Sequence, residues 1–169
     1  MESLIQRIDA FSDALGRAVA WGTLLMVIIT FVVVVLRYVF DMGWIAMQES
    51  VTYLHATVFM LGAAYTLRHG GHVRVDILYQ RFGPRGKAWV NLLGTLLLLL
   101  PMMGFVLWSS WDYVIESWKV LEGSREAGGL PGVFLLKTLI LLMPLTLILQ
   151  GISLALKSLR VLLGAADHG

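Results

Sequence analysis

Four long apolar runs, separated by segments that carry nearly all of the charge, dominate the chain. They cover residues 18–36, 50–67, 88–111 and 134–156, and Lys137 is the one Asp, Glu, Lys or Arg within them. A helix needs about 20 apolar residues to cross a bilayer core, and helices of soluble proteins are seldom apolar on every face. The pattern predicts an all-α integral membrane protein with four transmembrane helices, in which residues 1–169 form a single membrane domain.

The segment before the first run has an amphipathic pattern of its own. Its apolar residues recur at helical spacing, namely Leu4, Ile8, Phe11 and Leu15. Asp13 and Arg17 are four positions apart, so they can pair on one helical face. The pattern predicts an N-terminal amphipathic helix. It either lies in the membrane interface or extends the first span, and the sequence leaves both alternatives open.

Basic residues predict the orientation of these helices. Nine of the 13 Lys and Arg residues lie before the first span, between the second and third, or after the fourth. Lys and Arg are enriched on the cytoplasmic side of a membrane. We therefore expect both termini in the cytoplasm, which agrees with an even number of spans.

The third run continues as a helical pattern beyond the hydrocarbon. Trp108, Trp111 and Trp118 fall on one stripe, and tryptophan prefers the interface because its ring is apolar while its N–H needs a partner. Polar residues form an adjacent stripe, namely Asp112, Glu116 and Lys119. We expect a helical periplasmic extension of the third span that ends near Gly123. The charged residues that follow are candidates for docking a partner: Glu122, Arg125 and Glu126.

Composition narrows the classes of function further. Only 14% of the residues are charged, against about 25% in an average soluble domain. There is no cysteine, which excludes disulfides and thiolate chemistry. The net charge of +2 is explained by basic residues at membrane ends, so no nucleic-acid partner is expected.

No constellation of catalytic, cofactor-binding or metal-binding residues is visible, so we do not expect an enzyme. The middles of all four runs lack Asp, Glu, Lys and Arg, whereas carriers usually place charged groups or broken helices near the membrane midplane. His55 alone among the histidines lies inside a run, and we expect it to hydrogen-bond to a neighbouring helix. The alternative function, a membrane anchor of a redox enzyme, would need paired haem ligands at that depth.

Charged residues at the ends of the runs each have two interpretations, a contact with a partner or a simple structural role. Arg37 could anchor the first span, Glu49 could interact with the N-terminal dipole of the second helix, and Lys137 could snorkel to water. Small residues in the second and fourth runs permit close helix approach: Gly62, Ala63, Ala64, Gly151 and Ala155. Pro101 and Pro144 predict kinks.

Several short motifs occur in a characteristic order. They are Arg37-Tyr38-Val39-Phe40, Gln48-Glu49 with Tyr53, Gly62-Ala63-Ala64, Arg68, and His72-Val73-Arg74-Val75-Asp76. Their order and spacing resemble the small membrane subunit of tripartite ATP-independent periplasmic (TRAP) transporters, the DctQ type. Many members of that family carry two acids at the start of the second span, where this chain has Gln48 before Glu49.

The resemblance implies a scaffold subunit in a bacterial inner membrane, surrounded by membrane lipids. Its implied partners are a large DctM-type membrane subunit and a periplasmic solute-binding protein, which together import a solute with sodium. Residues 117–131 look like a branch that transports organic monocarboxylates such as 2-oxo acids, or larger hydrophobic or polyol compounds. We also expect Arg68 and Asp76, with His72, to fix the loop after the second span against the membrane or the large subunit.

Overall fold

The computed structural model describes residues 1–71 and 79–164 of the chain, and those residues form four long helices without a strand. The helices are α1 (Glu2–Val39), α2 (Ile45–Arg68), α3 (Pro84–Lys119) and α4 (Val133–Gly164). His72 and Asp76 lie outside the described residues, so their expected role stays a prediction. The all-helical prediction is confirmed for the described part of the chain.

Three of the helices are long and apolar enough to cross a membrane, namely α1, α3 and α4. The second helix has sufficient length but is less apolar, because Gln48, Glu49 and His55 interrupt its sequence. The predicted number of four spans is therefore not confirmed by helix length and composition alone.

The predicted N-terminal amphipathic helix is not a separate element. Residues 2–39 form one uninterrupted helix. This segment has no proline, and its glycines pack against side chains of α2. Ile5, Ser12 and Gly16 are buried where the first half of α1 packs against the bundle. Of the two alternatives that the sequence left open, the structure shows the extension of the first span.

A π-helical segment at Thr95–Leu99 interrupts α3 just before Pro101. Proline has no N–H to donate and its ring clashes with the carbonyl four residues earlier, so a locally widened turn accommodates it. Near Pro101, where the sequence predicts a kink, the structure has this π-helical segment. Gly151 of α4 lies against the segment, since a Cβ atom there would be 2.8 Å from Cδ2 of Leu99.

Helix α4 is the centre of the bundle and packs against each of the other three helices, while α1 and α2 also pack against each other. It contributes most of the buried residues, both apolar and polar: Leu139, Leu141, Pro144, Thr146, Leu147, Gln150, Gly151, Ser153, Ser158 and Leu162. Because successive helices run in opposite directions, α1 begins and α2 and α4 end at one face of the bundle. The loops after α1 and α3 lie at the other.

Candidate functional site

A cluster of charged and polar side chains joins three helices at the face where α1 begins and α4 ends. We call it the termini network: Asp9, Asp13, Arg68, Gln150, Ser153 and Lys157. Its centre is the carboxylate of Asp9, which accepts hydrogen bonds from Ser153 Oγ at 2.8 Å, Lys157 Nζ at 2.6 Å and Gln150 Nε2 at 3.2 Å. The Asp9 side chain is only 14% exposed, so these bonds replace most of its hydration.

Arg68, at the end of α2, closes the same network onto α1. Its guanidinium pairs with the Asp13 carboxylate and donates to the backbone carbonyl of Asp9. Ring nitrogen Nε2 of His69 lies 3.7 Å from the other Asp13 oxygen. The expected pairing of Asp13 with Arg17 is wrong, because Arg17 lies on the exposed face of α1 while Asp13 faces α2.

The termini network balances its charges, with two carboxylates against one guanidinium and one ammonium. A partly buried charge needs such pairing, since an unpaired one would lose its hydration without compensation. Apart from Arg68 and Asp13, its members are not among the residues that the sequence pattern marked. Two signals could have found them: Asp9 and Asp13 are spaced i, i+4, and Gln150, Ser153 and Lys157 are spaced i, i+3, i+7.

A second cluster lies at the opposite face, where we call it the loop network: Glu49, Ser117, Glu122, Ser124 and Lys137. Glu49 accepts hydrogen bonds from the Ser124 hydroxyl and from the backbone N–H of Leu130 at 2.6 Å. The expected role of Glu49 at the N-terminus of its own helix is therefore replaced by one that ties the beginning of α2 to the loop between α3 and α4.

The other half of the loop network ties the end of α3 to the start of α4. The Glu122 carboxylate accepts from the Ser117 hydroxyl at 2.7 Å and from the Lys137 ammonium. Both hydrogen bonds lower the pKa of Glu122, and the one from Lys137 has the larger effect. Lys137 also lies 3.9 Å from the ring centroid of Tyr113 and is only 14% exposed, so it points into the bundle and does not snorkel outward.

The predicted tryptophan stripe divides into two environments. Trp108 and Trp111 are 79% and 55% exposed on the outside of α3. Trp118 instead contacts α4, because its Nε1 donates to Thr138 Oγ1 at 2.9 Å and its ring meets that of Phe134 edge-on at 4.7 Å. Trp118 therefore helps to join α3 to α4.

The remaining candidates are surface residues. Arg37 is exposed in the last turn of α1, as an anchoring residue would be. Arg125 and Glu126 are exposed in the loop after α3, whereas Glu122 beside them is held by Lys137. Contact of Arg125 and Glu126 with a docking partner stays a prediction, which the salt dependence of uptake after charge reversal at Glu126 can check.

His55 does not bond to a neighbouring helix, contrary to expectation. It is exposed on α2 and stacks with Phe59 at a ring-centroid distance of 6.4 Å. The His69 ring lies against that of Tyr65 near the end of the same helix, with the ring planes tilted by 34°. Among residues 1–71 and 79–164, no group of three or more His, Cys, Asp or Glu side chains could hold a metal ion.

Comparison with protein families gives one informative match. Neither curated proteins nor solved structures gave a match. The family model described as the DctQ component of tripartite ATP-independent periplasmic transporters matches residues 26–161, which is more than half of the chain. That range includes every residue of the loop network and the α2 and α4 parts of the termini network. The chain therefore belongs to the DctQ family of TRAP transporter small components.

Proposed function

We propose that this protein is the small, non-catalytic scaffold subunit of a sodium-coupled TRAP transporter in a bacterial inner membrane. Its partners are a large DctM-type membrane subunit and a periplasmic solute-binding protein, and the imported solute is an organic acid or a related compound. Membership of the DctQ family supports the transporter assignment. The placement of charge in the helices supports the scaffold role.

The observation that carries this proposal is where the charges lie. Asp, Glu, Lys and Arg are absent from residues 18–36, 50–67, 88–111 and 138–156. The partly buried charges join helix to helix within the termini network and the loop network. A site that binds a carboxylate or a sodium ion within the membrane needs charged groups or broken-helix ends there. A subunit built in this way holds or widens another membrane protein and leaves transport to that protein.

We further propose that α2 is a fourth span, with both termini in the cytoplasm. One end of α2 joins the loop network through Glu49, and the other joins the termini network through Arg68. The same two networks include residues near the ends of α4, so α2 covers the same depth as that helix. Its polar residues do not exclude this, since they can be covered by protein in the membrane.

The topology can be tested by cysteine labelling, because the natural chain has no cysteine. Ala127 is exposed in the loop between α3 and α4, and Gly83 is exposed just before α3. We expect Ala127→Cys to react with a membrane-impermeant thiol reagent added to intact spheroplasts, and Gly83→Cys to react only after lysis. The reverse pattern would overturn the orientation, and labelling of both or neither in intact cells would contradict the number of spans.

The scaffold role predicts that the chain alone transports nothing. Proteoliposomes that contain only this subunit should show no solute uptake. Adding the large subunit, the binding protein with its solute, and an inward sodium gradient should start uptake, because the transport site is then supplied by the partner. Uptake of the same solute by the isolated subunit would refute the scaffold role, and uptake that ignores the sodium gradient would refute the coupling.

A further inference from the structure

One face of α2 is left uncovered by the rest of the chain. Gln48, Thr52, His55 and Phe59 are all exposed, and their spacing of four, three and four residues places them on a single helical stripe. The helices that contact α2, namely α1 and α4, pack against the rest of its surface. We call this exposed set the α2 stripe.

Three of the four residues of the α2 stripe are polar, namely Gln48, Thr52 and His55. No hydrogen bond involves the Gln48, Thr52 or His55 side chain among the described residues. The other two threonines of α2 do bond to their own helix, since Thr57 donates to the Tyr53 carbonyl at 2.8 Å and Thr66 to the Gly62 carbonyl at 3.0 Å. Lipid acyl chains offer no hydrogen-bonding groups, so polar side chains facing them lose their hydration without replacement.

The same face continues toward the termini network as a groove of about 470 Å³ between α1 and α2. Small residues form much of its lining, including Ala20, Gly62 and Ala63. A Cβ atom added at Gly62 would meet no atom within 4 Å, so this chain does not use the space that the glycine leaves. Small residues let a second membrane helix approach closely.

The outward surfaces of the other helices differ from this face. On α1, Trp21 and Phe31 are 72% and 68% exposed, and on α3, Leu97 and Leu98 are 66% and 72% exposed. Such apolar surfaces suit contact with lipid. The α2 side combines unsatisfied polar groups with a groove of small residues, and that combination suits contact with a protein helix that carries hydrogen-bonding groups.

We propose that the α2 stripe and the adjoining groove bind a transmembrane helix of the large transporter subunit. The inference rests on the proposed function, which supplies the partner, and adds the surface that the partner occupies. The partner's helix lies along α2, places its own polar side chains or a free carbonyl opposite Thr52 and His55, and packs its backbone close to Gly62. Lipid would fill the groove but would leave the stripe unsatisfied.

Photo-crosslinking locates the contact. A benzophenone amino acid is placed at Thr52, His55 or Phe59, and at Phe31 or Leu98 as exposed controls on other helices. With the large subunit co-expressed, we expect crosslinks to it from the three α2 positions and none from the controls. Crosslinks to a second copy of this chain, or to lipid alone, from the α2 positions would overturn the proposal, as would crosslinks to the large subunit from the controls instead.

A pair of glycines provides a matched test of the groove. Neither Gly62 nor Gly104 on α3 has an atom within 4 Å of an added Cβ, so a side chain at either position begins in open space. We expect Gly62→Leu to reduce the co-purified large subunit by roughly tenfold or more, because the bulky side chain occupies the groove. Gly104→Leu should leave it unchanged. Equal effects of the two variants would contradict the proposal.

The wild-type complex separates this inference from the proposed function. If the large subunit does not co-purify with the wild-type chain, the scaffold assignment itself fails. If the large subunit co-purifies equally well with wild type and with Gly62→Leu, the scaffold assignment stands, but the proposed binding surface on α2 is wrong. Thermal unfolding of each isolated variant, compared with wild type, shows whether a loss of binding reflects the interface or a damaged fold.

Discussion

Replacing Asp9 with alanine should lower the stability of the isolated subunit by about 2–3 kcal/mol, since hydrogen bonds to a charged group are worth more than neutral ones. The substitution removes the acceptor of three hydrogen bonds from α4. It also leaves the ammonium of Lys157 without its carboxylate, although that side chain is 40% exposed and can recover part of its hydration. The measurement is the thermal unfolding of the purified subunit in detergent.

Two variants show whether the effect comes from the network. Asp9→Asn keeps an oxygen that can accept from Ser153 while it loses the charge that pairs with Lys157, so its stability should fall between wild type and Asp9→Ala. Glu2→Ala breaks the pair with Arg160, whose side chains are 63% and 62% exposed, and should lose under about 1 kcal/mol. If Asp9→Ala unfolds at the same temperature as Glu2→Ala, the termini network does not stabilise the bundle.

The apolar pattern predicted where the long helices lie, because it depends only on residues within each helix. The run at residues 88–111 lies within α3, and that at 134–156 lies within α4. The N-terminal segment was harder, since an amphipathic pattern is the same whether its polar face meets water or another helix. In the structure, Asp9 and Asp13 on that face meet α4 and α2.

Partners across helices could not be predicted in the same way. The sequence placed Arg17 four residues from Asp13, but the pair that forms joins Asp13 to Arg68, far along the chain. Likewise Lys137 was assigned to the membrane end of its helix, and only the fold brings Glu122 and Tyr113 to it. Rules of spacing describe neighbours on one helix, whereas these contacts depend on how the helices are rotated against each other.

Close helix approach shows the same limit. Gly62, Ala63 and Ala64 are among the small residues whose positions predict close helix approach. Within the chain only part of this is realised, since Ala64 is fully buried but Gly62 faces open space. Among the glycines of α1 and α2, Gly16 has the closest contact with the other helix, since an added Cβ would lie 2.4 Å from ring carbons of Tyr65. Both helices contain glycine, and the composition does not say which one is used.

Gly16→Ala should therefore destabilise the contact of α1 with α2. The new methyl group would also lie 2.6 Å from Cβ of Tyr65, so rotation of the ring does not remove the overlap and the helices must separate. Forcing an extra carbon into a packed contact costs about 1–3 kcal/mol. Alanine favours the helix over glycine by about 1 kcal/mol, which offsets part of this loss. We expect a lower unfolding temperature than wild type in detergent.

Gly62→Ala is the matched control, because it brings the same gain in helix preference into open space. The isolated Gly62→Ala subunit should be at least as stable as wild type, whereas the Gly16→Ala subunit should be less stable. Removing the obstructing ring should recover part of the loss, which makes Gly16→Ala less harmful in a Tyr65→Ala background than in the natural chain. If Gly16→Ala and Gly62→Ala shift unfolding equally, the close contact between Gly16 and Tyr65 does not determine how α1 packs on α2.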